Sequence, residues 1–218
     1  MNTEHRKTLS SFSISSTNIR SLCTSDKKKR LRKLLAIKNL DTDISVIIDS
    51  QVNQADESFL YKHHRLIMSE YNITSNYRKP RGITILIKKK TGITLGHVET
   101  VDDNILIFSI LTASNETIDI AAIYGPSDKD DPAFFEKVSD CLNNRGYNHK
   151  IIIGDWNTTL NAANDQNNYI TDPHPKSRDV LQSWEDSEQL FDGFRYHNPA
   201  LKNLPGALET ATKLAGLT

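Results

Sequence analysis

Five polar side chains stand at or just past the ends of apolar, largely β-branched runs: Asn18, Asp49, Tyr124, Asp155 and Asn157. The clearest case is Lys150-Ile151-Ile152-Ile153-Gly154-Asp155-Trp156-Asn157, where a strand-like run delivers a carboxylate and an amide together. Such a carboxylate can hold Mg²⁺ or orient an attacking water, and the amide can hold a phosphate oxygen. Taken singly, each ending is equally a strand running into an Asx-type turn, or a rim aromatic with its hydroxyl in water. When strands of packed sheets end at one rim, the groups converge on a single cleft. The donors are hard oxygens without thiolates, a set that selects Mg²⁺, or Mn²⁺ in its place, over zinc and points to phosphate chemistry.

The elements that must position these groups follow from periodicity. Residues 11–18 alternate Phe12 and Ile14 with serines, residues 43–49 and 81–87 are apolar runs, and residues 94–100, 104–111 and 117–124 form an antiparallel meander. Residues 27–40 read as a helix with Leu31, Leu34 and Leu35 as its apolar stripe under a basic face. Asp131-Pro132 starts a second helix, with Phe134, Phe135, Val138 and Leu142 facing the core. A third begins at Lys176-Ser177-Arg178-Asp179 and carries Val180, Leu181 and Trp184. Residues 158–175 read as a long loop, which at this size is functional or mobile. His63 and His64 lack the spacing that puts two ligands on one helix face and read as surface residues. The order predicts an α+β chain, with helices outside packed sheets.

The 218 residues suit one domain, spanning 11–199 between a disordered tail at 1–10 and an atypical tail at 200–218. Acidic and basic residues balance at 27 each, so no global field advertises a nucleic-acid partner. Cys23 and Cys141 are too few for a disulfide framework, and no apolar run reaches bilayer length. A reduced, intracellular protein, nuclear or cytoplasmic, with no membrane partner, is expected.

Thr17-Asn18-Ile19-Arg20, Ile48-Asp49-Ser50, Arg81-Gly82-Ile83, Ile123-Tyr124-Gly125-Pro126 and Gly154-Asp155-Trp156-Asn157 occur in the order of the exonuclease–endonuclease–phosphatase superfamily. Within it, the chain most resembles the apurinic-type endonuclease domain of non-LTR (LINE-like) retrotransposons. The resemblance implies a four-layered α/β sandwich of two packed, mostly antiparallel sheets flanked by helices. It also implies Mg²⁺-dependent cleavage of DNA phosphodiesters, with a reverse transcriptase domain as a partner in the parent polyprotein. Carried over by position, Asn18 helps arrange the metal and Asp49 is the metal carboxylate, a departure from the commoner Glu. Tyr124 donates to the phosphate, Asp155 orients the water, and Asn157 binds the phosphate or the developing charge.

The same resemblance implies a late Ser-Asp-His segment, yet no His follows His197 and no Asp follows Asp192. His197 lies in a His-Asn-Pro segment and reads as structural. The expectation is therefore a domain missing its last strands, with an unpaired sheet edge, a tail without a replacement strand, and impaired turnover. The alternative function is a catalytically inactive relic that keeps the fold and DNA binding. A small-molecule or lipid phosphoesterase is disfavoured by Tyr124-Gly125-Pro126. Arg78, Arg81, Lys88, Lys89, Lys90 and Arg195 are the candidate phosphate contacts, although lysine runs are commonly solvated faces.

Overall fold

In a computed structural model, residues 12–55, 70–76, 81–145, 149–158, 160 and 173–193 are described, with the backbone of 211–215. The first sheet is built from β1 (Ile14–Asn18), β2 (Ile44–Ile48), β3 (Tyr71–Ser75) and β4 (Ile83–Lys88), in the order β1-β2-β4-β3. The second holds β5 (Thr94–Asp102), β6 (Ile105–Leu111), β7 (Thr117–Tyr124), β8 (Lys150–Asp155), β9 (Leu190–Asp192) and β10 (Ala211–Ala215), in the order β5-β6-β7-β8-β10-β9. Helices α1 (Lys27–Asn39), α2 (Pro132–Asn143) and α3 (Pro175–Glu188) flank these sheets among the described residues. No helix among the described residues is long and apolar enough to cross a membrane.

Alternation along each strand sorts its side chains into two cores. Ile44, Val46 and Ile48 of β2 and Ile83, Ile85 and Ile87 of β4 face Phe108, Ile120, Ile151 and Ile153 of the second sheet. On the outer faces, Ile47 and Leu86 meet Leu34 and Ile37 of α1, while Ile107, Ile123 and Ile152 meet Phe135, Val138, Leu181 and Trp184 of α2 and α3. Each such fully buried aliphatic side chain contributes about 1.5–3 kcal/mol. The result is the expected four-layered α+β sandwich.

The local structure differs from the sequence reading at four places. The buried stripe of α1 is Arg30, Leu34 and Ile37, whereas Leu31 and Leu35 are 44% and 42% exposed. The helix is rotated so that Ile37 enters the core; Arg30 tolerates burial because its guanidinium donates to the Thr24 carbonyl. Second, β3 was not anticipated: Asn72, Thr74 and Ser75 make it a polar edge strand with no apolar run to reveal it. Third, Asp131 occupies the N-cap position of α2 without making a side-chain cap, and its carboxylate instead meets Lys129 at 2.8 Å. Fourth, residues 211–215 do form a strand. β10 pairs antiparallel with β8 on one side and β9 on the other, so the edge of β8 expected to be unpaired is covered. His63, His64, His197, Arg78, Arg195 and nearly all of the long loop lie outside the described residues.

Candidate active site

Two parallel pairs put the polar endings at one rim. β1 runs parallel to β2, in register Asn18↔Ile48, and β7 runs parallel to β8, in register Tyr124↔Asp155. Parallel neighbours end together, so Asn18 and Asp49 finish one sheet where Tyr124 and Asp155 finish the other. β1 packs across the interface onto β8. There Asn18 Nδ2 donates to Asp155 Oδ2 at 2.8 Å.

Glycines shape the second sheet's contribution. A Cβ on Gly125 would sit 1.9 Å from the Trp156 carbonyl oxygen, and one on Gly154, at φ +155°, would sit 1.9 Å from that of Ile123. These close approaches let Gly125 N donate to Asp155 O at 2.7 Å and Asn157 Nδ2 donate to Gly125 O at 2.8 Å. Tyr124-Gly125 and Gly154-Asp155-Trp156-Asn157 are thus two halves of one interlocked turn. Trp156 points away from the rim and stacks on Phe135, with ring centroids 6.1 Å apart, anchoring the turn in the outer core.

In the first sheet the ladder continues beyond the strands. Ile19 N, Ser21 N and Leu22 N donate to the carbonyls of Ile48, Asp49 and Ser50, while Ser50 N and Gln51 N donate to those of Gly82 and Arg81. Asp49 adopts φ +53° and its Oδ1 accepts from Gln51 Nε2 at 3.0 Å. Below it, Ser50 is fully buried and accepts from Thr84 Oγ1 at 2.9 Å. Arg81 lies with its guanidinium carbon 5.7 Å from the centroid of the Tyr124 ring, a cation–π distance.

Asn76 was missed by the sequence reading. It is buried, its Oδ1 accepts from Ile83 N at 2.8 Å, and its Nδ2 donates to Asp103 O at 3.2 Å, tying β3, β4 and the β5–β6 turn together beside Arg81. A lone Asn ahead of a polar stretch gives no signal for a role that depends on three distant segments.

Lys88, Lys89 and Lys90 are not brought to this rim. β4 runs antiparallel to β2, so its Ile83 end is at the rim and Lys88 is at the far end of the sheet, about 17 Å away at 3.3 Å per residue. There Lys88 Nζ donates to Asp41 Oδ1 at 2.6 Å.

No protein-family model and no curated protein matches the sequence. Solved structures do match it. The Xenopus laevis APE2 catalytic domain is 17% identical, with a TM-score of 0.66 over 93% of this chain and 82% of that one. AP endonuclease LMAP from Leishmania major is 12% identical, with a TM-score of 0.70 over 94% and 79%. The 3′ phosphatase NExo from Neisseria, solved with a product DNA hairpin, is 16% identical, with a TM-score of 0.63 over 95% and 87%. This chain shares the fold of these three structures. At these identities the likeness is one of fold. Within that fold, the rim carrying Asn18, Asp49, Tyr124, Asp155 and Asn157 is where two sheets present their polar ends together.

Among the described residues no cluster of three or more His, Cys, Asp and Glu side chains forms a metal site. Magnesium does not need one, because it keeps several waters and takes one or two carboxylates plus substrate phosphate oxygens. Asp49 engages Gln51 through Oδ1 alone, and Asp155 engages Asn18 through Oδ2. Two carboxylates with amide neighbours and no thiolate therefore suit a hard divalent ion at this rim.

Proposed function

We propose that the chain is a Mg²⁺-dependent endonuclease-like phosphodiesterase acting on DNA, of the target-nicking type found in non-LTR retrotransposons. The observation that carries this reading is the Asn18–Asp155 hydrogen bond, which joins the ends of both sheets at one exposed rim. The fold is shared with the DNA-bound phosphatase and the AP endonuclease described above.

Asp49 and Asn18 would hold the metal, which when bound neutralises phosphate charge and stabilises the leaving oxygen. Asp155 would orient the in-line water that attacks. Asn18, by donating to Oδ2, fixes which way that carboxylate faces. Tyr124 donates its phenol to a non-bridging oxygen, and Arg81 above its ring places a fixed positive charge beside the phosphate. Asn157, locked by its bond to Gly125, presents its amide from a set geometry. Donors preorganised for charge that appears only in the transition state supply most of such an acceleration. Of the lysines and arginines considered, Arg81 is the phosphate contact this reading retains at the scissile bond.

The second reading is a chain that binds DNA without turnover; among the described residues the hydrogen bond to Asp155 comes from the Asn18 amide. Relaxation of supercoiled plasmid separates the two. Mg²⁺-dependent nicking lost in Asp155→Ala supports the enzyme, whereas DNA binding without nicking supports the relic.

A further inference from the structure

The segment between Asn18 and Leu22 is strained and yet fixed. Arg20 and Ser21 are consecutive non-glycine residues with φ of +50° and +73°. Left-handed conformations at such residues cost on the order of 1 kcal/mol each and persist only where the surroundings impose them. The surroundings here include one side chain from α1. Lys33 Nζ donates to the carbonyls of Ile19 at 2.5 Å, Arg20 at 2.5 Å and Ser21 at 2.8 Å.

Three successive carbonyls turned toward one point require the backbone to curl around it, which the two positive φ values accomplish. The curl also sets the other face of the segment. Ser21 N then reaches Asp49 O at 2.7 Å, Leu22 N reaches Ser50 O at 2.8 Å, and Arg20 N reaches Asn18 Oδ1 at 3.2 Å. The last bond orients the Asn18 amide so that its Nδ2 meets Asp155. Burial and Lys29 pull the Lys33 ammonium below its ordinary pKa, while the Asp49 carboxylate and the three carbonyl bonds favour its charge.

We propose that Lys33 is a positioning residue for the Asn18–Asp49 edge of the site. It acts as an internal cation, around which the 19–21 backbone is wound so that Asn18 meets Asp155 and Ser21 N holds the Asp49 carbonyl. The metal-binding part of its test rests on the reading of the site given above, and the backbone part does not. Spacing offers no hint, because Lys33 sits in a basic helix in which Lys27, Lys28, Lys29 and Arg32 are exposed.

The experiment uses the full chain as Lys33→Met, Lys33→Arg and, as a charge control, Arg32→Met on the exposed face of the same helix. Native-state amide exchange at Ser21 and Leu22 is measured alongside Mn²⁺ affinity in the absence of DNA. Lys33→Met should speed exchange at those two amides at least about tenfold, with β7 amides unchanged, and weaken Mn²⁺ binding about tenfold. Lys33→Arg should recover most of both, and Arg32→Met should change neither. Removing a positive charge near Asp49 would by itself tighten cation binding, so weaker binding reads geometry rather than charge. Unchanged exchange in a folded Lys33→Met chain overturns the proposal, as does tighter Mn²⁺ binding. If Lys33→Met does not fold, Lys33→Gln replaces it under the same criteria. A wild-type chain that binds no Mn²⁺ overturns the metal reading alone, and exchange at Ser21 and Leu22 then decides the role of Lys33.

Discussion

Asn18 and Asp155, 137 positions apart in the sequence, are joined by a 2.8 Å hydrogen bond between the ends of β1 and β8. That bond connects the two sheets at the rim and gives Asp155 a fixed orientation. Asn18→Ala should therefore lower the nicking rate by about 10²-fold, the scale on which one preorganised group acts. Global stability should fall by only about 1 kcal/mol. Single-turnover nicking and urea unfolding of the same variant check the two figures.

The interlocked turn predicts a different outcome at Gly125. A Cβ there meets backbone atoms of Trp156, at 1.9 Å from the oxygen and 2.6 Å from the carbon, and backbone cannot swing aside. Gly125→Ala should cost about 3 kcal/mol. Gly92→Ala, at φ +73° with its nearest neighbour at 3.8 Å, should cost about 1 kcal/mol. Urea midpoints that reversed this ranking would contradict the close approach of β7 and β8.

Asp119 in β7 is wholly buried, with neither carboxylate oxygen hydrogen-bonded among the described residues and Arg145 Nη1 3.8 Å away. Burial pushes its carboxyl above the usual range, against the pull of Arg145, Lys150 and His97. For an acid raised in this way, the folded state holds the proton more tightly than the unfolded one. Its contribution to stability is full below the unfolded value of about 3.9 and is lost as pH rises through the folded value. Asp119→Asn should thus be about 1 kcal/mol more stable than the wild type at pH 7. The advantage should shrink toward zero near pH 4, as read from urea unfolding at both pH values.

Much of this was legible because apolar alternation and its endings are local. β1, β2, β4 to β8 and all three helices announce themselves by period, and their terminal Asn18, Asp49, Tyr124 and Asp155 mark the rim. What escaped was set by tertiary context. β3 is a polar edge strand held by pairing to β4, and β10 is recognisable only once β8 and β9 offer it two edges. In α1 the stripe was displaced because Arg30 found a carbonyl partner, leaving Leu31 and Leu35 outside. Asn76, Ser50 and Lys33 support the site through bonds to segments far along the chain, which no spacing encodes.

In the proposed function Asp155 stands in a metal-dependent phosphodiesterase site. Conversion of supercoiled plasmid to open circles, followed with Mg²⁺ and with EDTA for the wild type and Asp155→Ala, reads this out. The wild type should nick with Mg²⁺, and nicking should be abolished by EDTA and fall at least about 10³-fold in Asp155→Ala. A wild-type chain that never nicks, or nicking that survives in EDTA or in Asp155→Ala, would contradict it.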